Sequence, residues 1–581
     1  MIPGDNRKTH INIGAASTKN IEASHNRLHI VMILFAVAFL VICLRVLDVA
    51  VISGENIANI DIESEYQPEQ VTKRSDIIDR NGIILATSLA TASLYANPKV
   101  MLDKQQAMQK LLSAFSDLDK NDLKAKLSSD KSFVWIKRNL TPSEQYKANI
   151  LGIPGVYFRD EEKRVYPHRN LFSHALGFVN VDGKGLTGLE KQFDSFLLRK
   201  VTRSSDQDAE TPLTLSLDMR VQNIVREALL ESISTFKAKG ASGIVMDVNT
   251  GEVIAMVSLP DFDPNQPTSA KQDDLFNRAT YGVYEMGSTF KTFNMAMALD
   301  SGTIKMNSIY DVATPIKIGG FAINDHHPKA KILTAPEVFI YSSNIGSAKI
   351  ALDVGIPLQK SFLKKIGILD PLPIEIPEKS SPLIPQTWSK ISSMTVSYGH
   401  GIAVTPMHVT SATAALINGG LLHPATLLKI DDEEIPSERV ISIKTSDNVR
   451  KLFRMVVESG TGSKAEVASY LVGGKTGSAD KVAVGGYNRH AIISSFIGAF
   501  PMNEPKYIVF VMIDEPTGNK STGGFATGGM VAAPVASRII SRIGPMLNVM
   551  PVDENQYEIR KEFGYDNGKA PEPQLISAET Y

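Results

Sequence analysis

The longest apolar stretch of the chain runs unbroken over 30–44 and continues through Val46, Leu47 and Val49 to Ile52, with Arg45 and Asp48 interposed. With its flanks it reaches the ~20 residues a helix needs to cross a bilayer. A membrane anchor is therefore expected over 28–52, with Arg45 snorkelling or facing a partner helix. Beyond it the pattern is mixed. Helical periodicity over 104–115 and 120–127 alternates with short β-type runs such as 75–85, and a polar linker spans 202–210. Residues 212–217 alternate, and an amphipathic helix is expected from about 219 to 236. Two strand-like runs, 242–248 and 252–258, flank Asn249-Thr250-Gly251, a hairpin signal. A second strand pair is expected at 489–500 and 506–513, with a further strand-length run at 467–475 and a closing helix from Met530.

Strands from both ends of one region, separated by a long helical stretch, predict an α+β layered domain: an antiparallel sheet with flanking helices and a helical insert. A mixed α/β pedestal and one transmembrane helix precede it. The expected division is a tail at 1–27, an anchor at 28–52, a non-catalytic domain at 53–208, a main domain at 209–549 and a polar C-terminal tail at 550–581.

Charge orients the anchor. Arg7, Lys8, Lys19 and Arg27 precede it, whereas Glu55, Asp61, Glu63, Glu65 and Glu69 follow it with no lysine or arginine over 53–70. The positive-inside rule puts the N-terminus in the cytoplasm and the rest outside it. The alternative is a signal peptide cleaved near Val51-Ile52-Ser53; the long polar lead and the interposed charges favour an uncleaved anchor. A formal net charge of -1 gives no electrostatic footprint for nucleic acid. The single cysteine, Cys43, lies in the apolar run, which excludes a disulfide framework, a thiolate metal site and a cysteine nucleophile downstream.

A serine acyl-transferase needs a hydroxyl with a base beside it. Ser288-Thr289-Phe290-Lys291 puts a lysine three residues after a serine, on one face of a helix. The same spacing recurs at Ser128 and Lys131, Ser234 and Lys237, Ser361 and Lys364, and Ser478 and Lys481, so spacing alone identifies nothing. Order and company single out Ser288. Ser342-Ser343-Asn344 follows, and then Lys475-Thr476-Gly477, which occurs once in the chain after Gly473-Gly474. S-x-x-K, S-x-N and K-T-G in this order are the motif set of serine β-lactamases and penicillin-binding proteins. Ser446-Asp447-Asn448 competes for the middle place, but it precedes a helical run over 449–458, so Ser446 or Thr445 reads as a helix N-cap. Asp325-His326-His327 lacks a third ligand at usable spacing and reads as a loop. Ser521-Thr522-Gly523-Gly524 lacks the lysine of a phosphate loop and reads as a flexible connection.

On these motifs the chain resembles the class B penicillin-binding proteins, peptidoglycan D,D-transpeptidases, and most of all their cell-division branch. Further matching stretches are Arg74-Ser75-Asp76-Ile77-Ile78-Asp79-Arg80-Asn81-Gly82, Arg164-Val165-Tyr166-Pro167 and Gly185-Leu186-Thr187-Gly188-Leu189-Glu190. Thr250-Gly251-Glu252, Thr405-Pro406 and Gly460-Thr461-Gly462 add to the likeness. Two positions depart from the family pattern: Ser75 stands where glycine is usual, and Met286 where proline is usual.

The resemblance implies a mechanism. Ser288 attacks a peptide ending in D-Ala-D-Ala, Lys291 takes its proton, Ser342 relays a proton to the leaving group, and Asn344 holds Lys291 and the substrate amide. Lys475 and Thr476 receive the terminal carboxylate, Gly477 lets substrate lie along the strand, and the N–H groups of Ser288 and Ser478 form the oxyanion hole. No cofactor or metal is implied. The implied partners are stem peptides, β-lactams, the membrane and the septal machinery, with a polytopic glycan-strand polymerase leading. The implied location is the inner membrane, with the catalytic domain periplasmic at the division site. D,D-carboxypeptidase or β-lactamase activity, an elongation role, and a non-catalytic scaffold or antibiotic sensor stand as alternatives.

Overall fold

In the computed structural model, residues 16–47, 71–201, 211–325, 329–431, 435–483, 486–554 and 556–563 are described. The expected linker at 202–210, the acidic stretch before residue 71, His326 and His327, and residues 564–581 of the expected tail lie outside them. The chain divides into two units, Met1–Val71 with Lys200–Asp208, and Thr72–Arg199 with Ala209–Tyr581.

In the first unit a helix spans Ala16–Leu47, beginning well before the apolar run that predicted it. Its window His29–Val46 has a mean hydropathy of 2.6 and none of it is buried against protein. A helix this apolar with no protein cover suits a hydrocarbon surround. Residues 48–52 of the expected anchor lie outside the described residues.

The second unit begins with the pedestal. Its long strand Ile84–Ala96 pairs antiparallel with Val156–Val165 and with Val134–Leu140. Helices Lys104–Ala114, Lys120–Leu127 and Pro142–Ile150 start at side-chain caps from Asp103, Asp119 and Thr141. Ala107 and Leu111, and likewise Leu123 and Leu127, fall four apart and bury one face of each helix against Leu94, Ile136 and Leu140. The three stretches noted at Arg74, Arg164 and Glu190 converge. Glu190 is fully buried and accepts from Arg74 Nε at 2.6 Å and Arg164 Nε at 2.7 Å, while Arg74 also pairs with Asp194 at 2.8 Å. Ser75 sits here at a negative φ, with its N–H donating to Leu197 O, so the position does not require glycine.

Elements of the main domain are numbered from its own start. Strands β1 (Gly240–Asp247), β2 (Val253–Leu259), β3 (Gly473–Ala483), β4 (Gly486–Phe500) and β5 (Tyr507–Asp514) form one antiparallel sheet in the order β3-β4-β5-β1-β2. Alternation decides which side each residue serves. Val509, Val511 and Ile513 face a core shared with α1 (Met219–Phe236) and the closing helix Ala532–Met546. Ile508, Phe510 and Met512 face the helical insert. Within that insert, α2 (Lys291–Asp300) and α3 (Asn344–Val354) carry the residues of interest.

Four local expectations are corrected. The run over 467–475 becomes strand only at Gly473, because Val467–Tyr470 closes a turn and Leu471 adopts a positive φ of 42°. The helix behind Ser446 starts earlier, at Ile443, and its N-cap is Ser442, whose hydroxyl accepts from Thr445 N; neither Thr445 nor Ser446 caps it. Within the expected polar tail, Tyr557–Phe563 is helical and buries Ile559 and Phe563 in the main core. The stretch at Ser521 is also more ordered than a flexible connection, since Lys520–Thr522 forms a 3-10 turn capped by Asn519.

Candidate active site

Ser288 lies in a single 3-10 turn, Gly287–Phe290, that runs directly into α2. Gly287 has a φ of +53°, and a Cβ there would stand 2.4 Å from Ser478 O. Only glycine lets the turn close this tightly on β3. Met286, the departure from the family pattern, is buried with φ −88° and accepts from Thr289 Oγ1 at 2.9 Å, so the turn forms without proline. Ser288 is half-buried, whereas Lys291 at the start of α2 is enclosed.

Four oxygens surround Lys291 Nζ. They are Ser288 Oγ at 2.8 Å, Ser342 O at 2.7 Å, Ser342 Oγ at 3.0 Å and Asn344 Oδ1 at 2.7 Å. Asn344 Nδ2 donates to Asn324 O at 3.2 Å, which fixes its amide with Oδ1 toward the lysine. Two of the four can only accept: the Ser342 carbonyl and Asn344 Oδ1. A neutral amine has two N–H groups for these and one lone pair left over. That lone pair can accept a hydrogen bond from a serine hydroxyl, and Ser288 Oγ is the nearer of the two.

Ser342 reaches Lys291 through both its carbonyl and its hydroxyl because its φ is +62°, a left-handed conformation uncommon for serine. It is held between the capped helix Ala335–Ile340 and α3. Its hydroxyl also accepts from Lys475 Nζ at 3.1 Å, so one oxygen bridges two lysines. Lys475 is fully buried, donates to Thr476 O at 3.2 Å and lies over the Phe339 ring. Burial lowers Lys475 from its ordinary value to about 7. Lys291 falls well below its ordinary value, through burial first and the neighbouring Lys475 charge second, with Asp325 opposing.

On β3, the Thr476 and Thr461 hydroxyls are 2.7 Å apart. A Cβ on Gly477 would meet Ser495 Oγ at 2.4 Å and Met286 O at 2.8 Å, so a side chain there would collide with both β4 and the turn that carries Ser288. Ser478 is exposed; its hydroxyl accepts from Gly528 N at 3.0 Å and its backbone flanks Gly287. The sequence-derived residues Ser288, Lys291, Ser342, Asn344 and Lys475 thus meet around two lysine Nζ atoms, with Thr476, Gly477 and Ser478 continuing the same edge strand.

The other candidates fall away. Ser446 is buried in its helix and accepts from Gly419 N, while Asp447 pairs with Arg450. Lys481 pairs with Asp514 and Glu515, and Lys237 is the left-handed C-cap of α1. One residue was missed. Asp325, read as part of a loop, accepts from Ser343 Oγ at 2.6 Å, Asn344 N at 2.6 Å and Ile345 N at 3.0 Å. No local signal marks it; only the fold brings it to the start of α3.

Comparison with known proteins agrees. The penicillin-binding protein transpeptidase domain family matches residues 241–541, more than half of the chain, and the penicillin-binding protein dimerisation domain family matches residues 69–201. The chain is 39% identical over 487 residues to the probable peptidoglycan D,D-transpeptidase FtsI of Caulobacter vibrioides, covering 82% of each chain. Identity to the peptidoglycan D,D-transpeptidase FtsI of Escherichia coli is 30% over 563 residues, covering 92% of this chain and 94% of that one. The crystal structure of penicillin-binding protein 3 from Mycobacterium tuberculosis complexed with ampicillin shares the fold, with a TM-score of 0.67 at 23% identity over 84% of this chain and 98% of that one. The chain belongs to the class B penicillin-binding proteins, in which a dimerisation domain precedes a transpeptidase domain, and is a peptidoglycan D,D-transpeptidase of the FtsI type.

Proposed function

We propose that Ser288 is the nucleophile of this transpeptidase and that Lys291, as a neutral amine, is its base. The observation that carries the reading is the set of four oxygens around Lys291 Nζ, which leaves the amine lone pair for the Ser288 hydroxyl. Ser288 Oγ gives its proton to Lys291 Nζ as it bonds to the carbonyl carbon of the penultimate D-Ala. The resulting oxyanion accepts from the N–H groups of Ser288 and Ser478, a contribution of about 3–4 kcal/mol per donor in comparable sites. Ser342, in contact with both lysines, relays a proton to the departing D-Ala nitrogen, the C–N bond breaks, and an ester remains on Ser288. An amine of a neighbouring stem peptide then attacks that ester, returns its proton through the same groups and completes the cross-link.

Lys475, in its protonated form, and the Thr476 hydroxyl receive the terminal carboxylate, and Gly477 leaves the strand edge open to the substrate backbone. Asn344 orients Lys291 and the substrate amide. A β-lactam, sharing the shape of D-Ala-D-Ala, acylates the same hydroxyl but leaves slowly. The domain division is a tail at 1–27, an anchor at 28–52, a pedestal at 53–208 and a transpeptidase domain from 209, to which the helix Tyr557–Phe563 adds Ile559 and Phe563 in the main core.

The N-terminal helix serves as a single-pass inner-membrane anchor, with the catalytic domain periplasmic at the division site. The division role is supported by the likeness to FtsI proteins. The anchor's Arg45 and Asp48 and the basic tail contact other septal membrane proteins, a polytopic glycan-strand polymerase foremost. Peptide mapping by mass spectrometry after penicillin treatment tests the central assignment: the adduct is expected on Ser288, and an adduct elsewhere would refute it. Rapid turnover of benzylpenicillin would instead support a hydrolase.

A further inference from the structure

We propose that Asp325 is a positioning residue of this active site: its carboxylate clamps Ser343 and the first turn of α3, so that Ser342 and Asn344 meet Lys291. The inference rests on the reading of Lys291 as the base.

The short hairpin of Ile316–Ile318 and Phe321–Ile323 leads into Asn324 and Asp325, which cross the start of α3. Both carboxylate oxygens are used. Oδ2 accepts from the Ser343 hydroxyl at 2.6 Å, and Oδ1 accepts from Asn344 N at 2.6 Å and Ile345 N at 3.0 Å. The Ser343 hydroxyl in turn accepts from Gly346 N at 2.9 Å. The first three N–H groups of α3, which no helical carbonyl could satisfy, are therefore all paired, and a negative charge sits at the positive end of the helix.

This clamp matters to the chemistry because Ser342 and Asn344 are its immediate neighbours. Ser342 holds a left-handed φ of +62°, an arrangement that persists only where the surroundings over-determine it. Ser343 and Asn344, the next two residues, are tied to one carboxylate. Asn324, adjacent to Asp325, accepts from Asn344 Nδ2 and so sets which end of that amide faces Lys291. The turn that supplies three of the four oxygens around Lys291 Nζ is thus fixed from behind by a residue that touches none of the reacting atoms.

A second consequence follows from charge. The groups facing Lys291 are Lys475 from β3 and Asp325 from this strap, and they act in opposite senses on its proton. Removing the Asp325 charge leaves Lys475 unopposed and moves the protonation of Lys291 to lower pH.

The test uses the full chain purified in detergent and fluorescent penicillin as the probe, with acylation rates of Ser288 measured across pH. Asp325→Asn keeps the shape and removes the charge. Its rate is expected to fall by roughly 10- to 100-fold, the scale of a small misplacement of catalytic groups, and the acid limb of its pH profile is expected to move to lower pH. A rate within twofold of wild type overturns the proposal. A slower rate with an unmoved acid limb also overturns it, leaving Asp325 as a helix cap. Should Asp325→Asn fail to fold, Ser343→Ala, which removes one contact of the clamp, must slow acylation at least threefold; an unchanged rate overturns the proposal. Wild-type protein that takes no label on Ser288 would instead refute the nucleophile assignment itself.

Discussion

Two clusters of buried ionisable side chains, one in each domain, are built on opposite principles. In the pedestal, Arg74 and Arg164 close on Glu190, with Asp194 completing the set, so each charge meets its opposite. In the catalytic domain, Lys291 and Lys475 are equally enclosed, yet they share a serine hydroxyl and, among the described residues, touch no carboxylate. Paired burial gives each guanidinium a carboxylate in hydrogen-bond contact and makes a rigid joint. Unpaired burial makes the lysines give up protons readily, which a base requires. The comparison teaches that counting buried charges says little; the partner decides whether a cluster braces or reacts.

The largest expected effect breaks the reactive half. Lys291→Met should slow acylation by fluorescent penicillin by ~10²–10⁴-fold, the range for removing a positioned base, while the melting temperature stays at or above wild type. A large loss of melting temperature would mean that Lys291 is needed for folding.

Next, Glu190→Ala should destabilise the protein by about 3–5 kcal/mol, because it strands two buried arginines, and denaturant titration of the second unit would measure it. Little change would show that water or Asp194 replaces the carboxylate. A smaller and opposite effect is expected at Lys475→Met. The folded protein holds this lysine's pKa at about 7, below its unfolded value, so the cost of burying it grows as pH falls. The substitution should raise the melting temperature, and by more at pH 6 than at pH 9. The reverse order would contradict a depressed lysine.

The reactive cluster was legible in the sequence and the paired one was not. Ser288, Ser342 and Lys475 belong to three short stretches whose order carries meaning even without structure. Helix α1 was readable to its ends, because its apolar period is unbroken and Asp218 caps it. Strand β3 was misplaced at its start, since an apolar run continues through a turn into the strand and periodicity cannot separate the two. The helix that buries Ile559 and Phe563 looked like tail because its seven residues offer only one apolar pair. The pairing of Arg74 with Glu190 spans 116 residues, and Asp325 reaches Ser343 only through the fold. Local pattern reports neither.

The most direct test of the account is the pH dependence of Ser288 acylation by penicillin, followed from pH 5 to pH 10. If Lys291 is a neutral base, the acid limb of the rate lies well below the pH at which an ordinary lysine loses its proton, and the rate declines above about 7 as Lys475 loses the proton that holds the ligand carboxylate. A rate that instead rises tenfold per unit from pH 7 to pH 10 would mean that Lys291 titrates as an ordinary lysine, and would contradict the account.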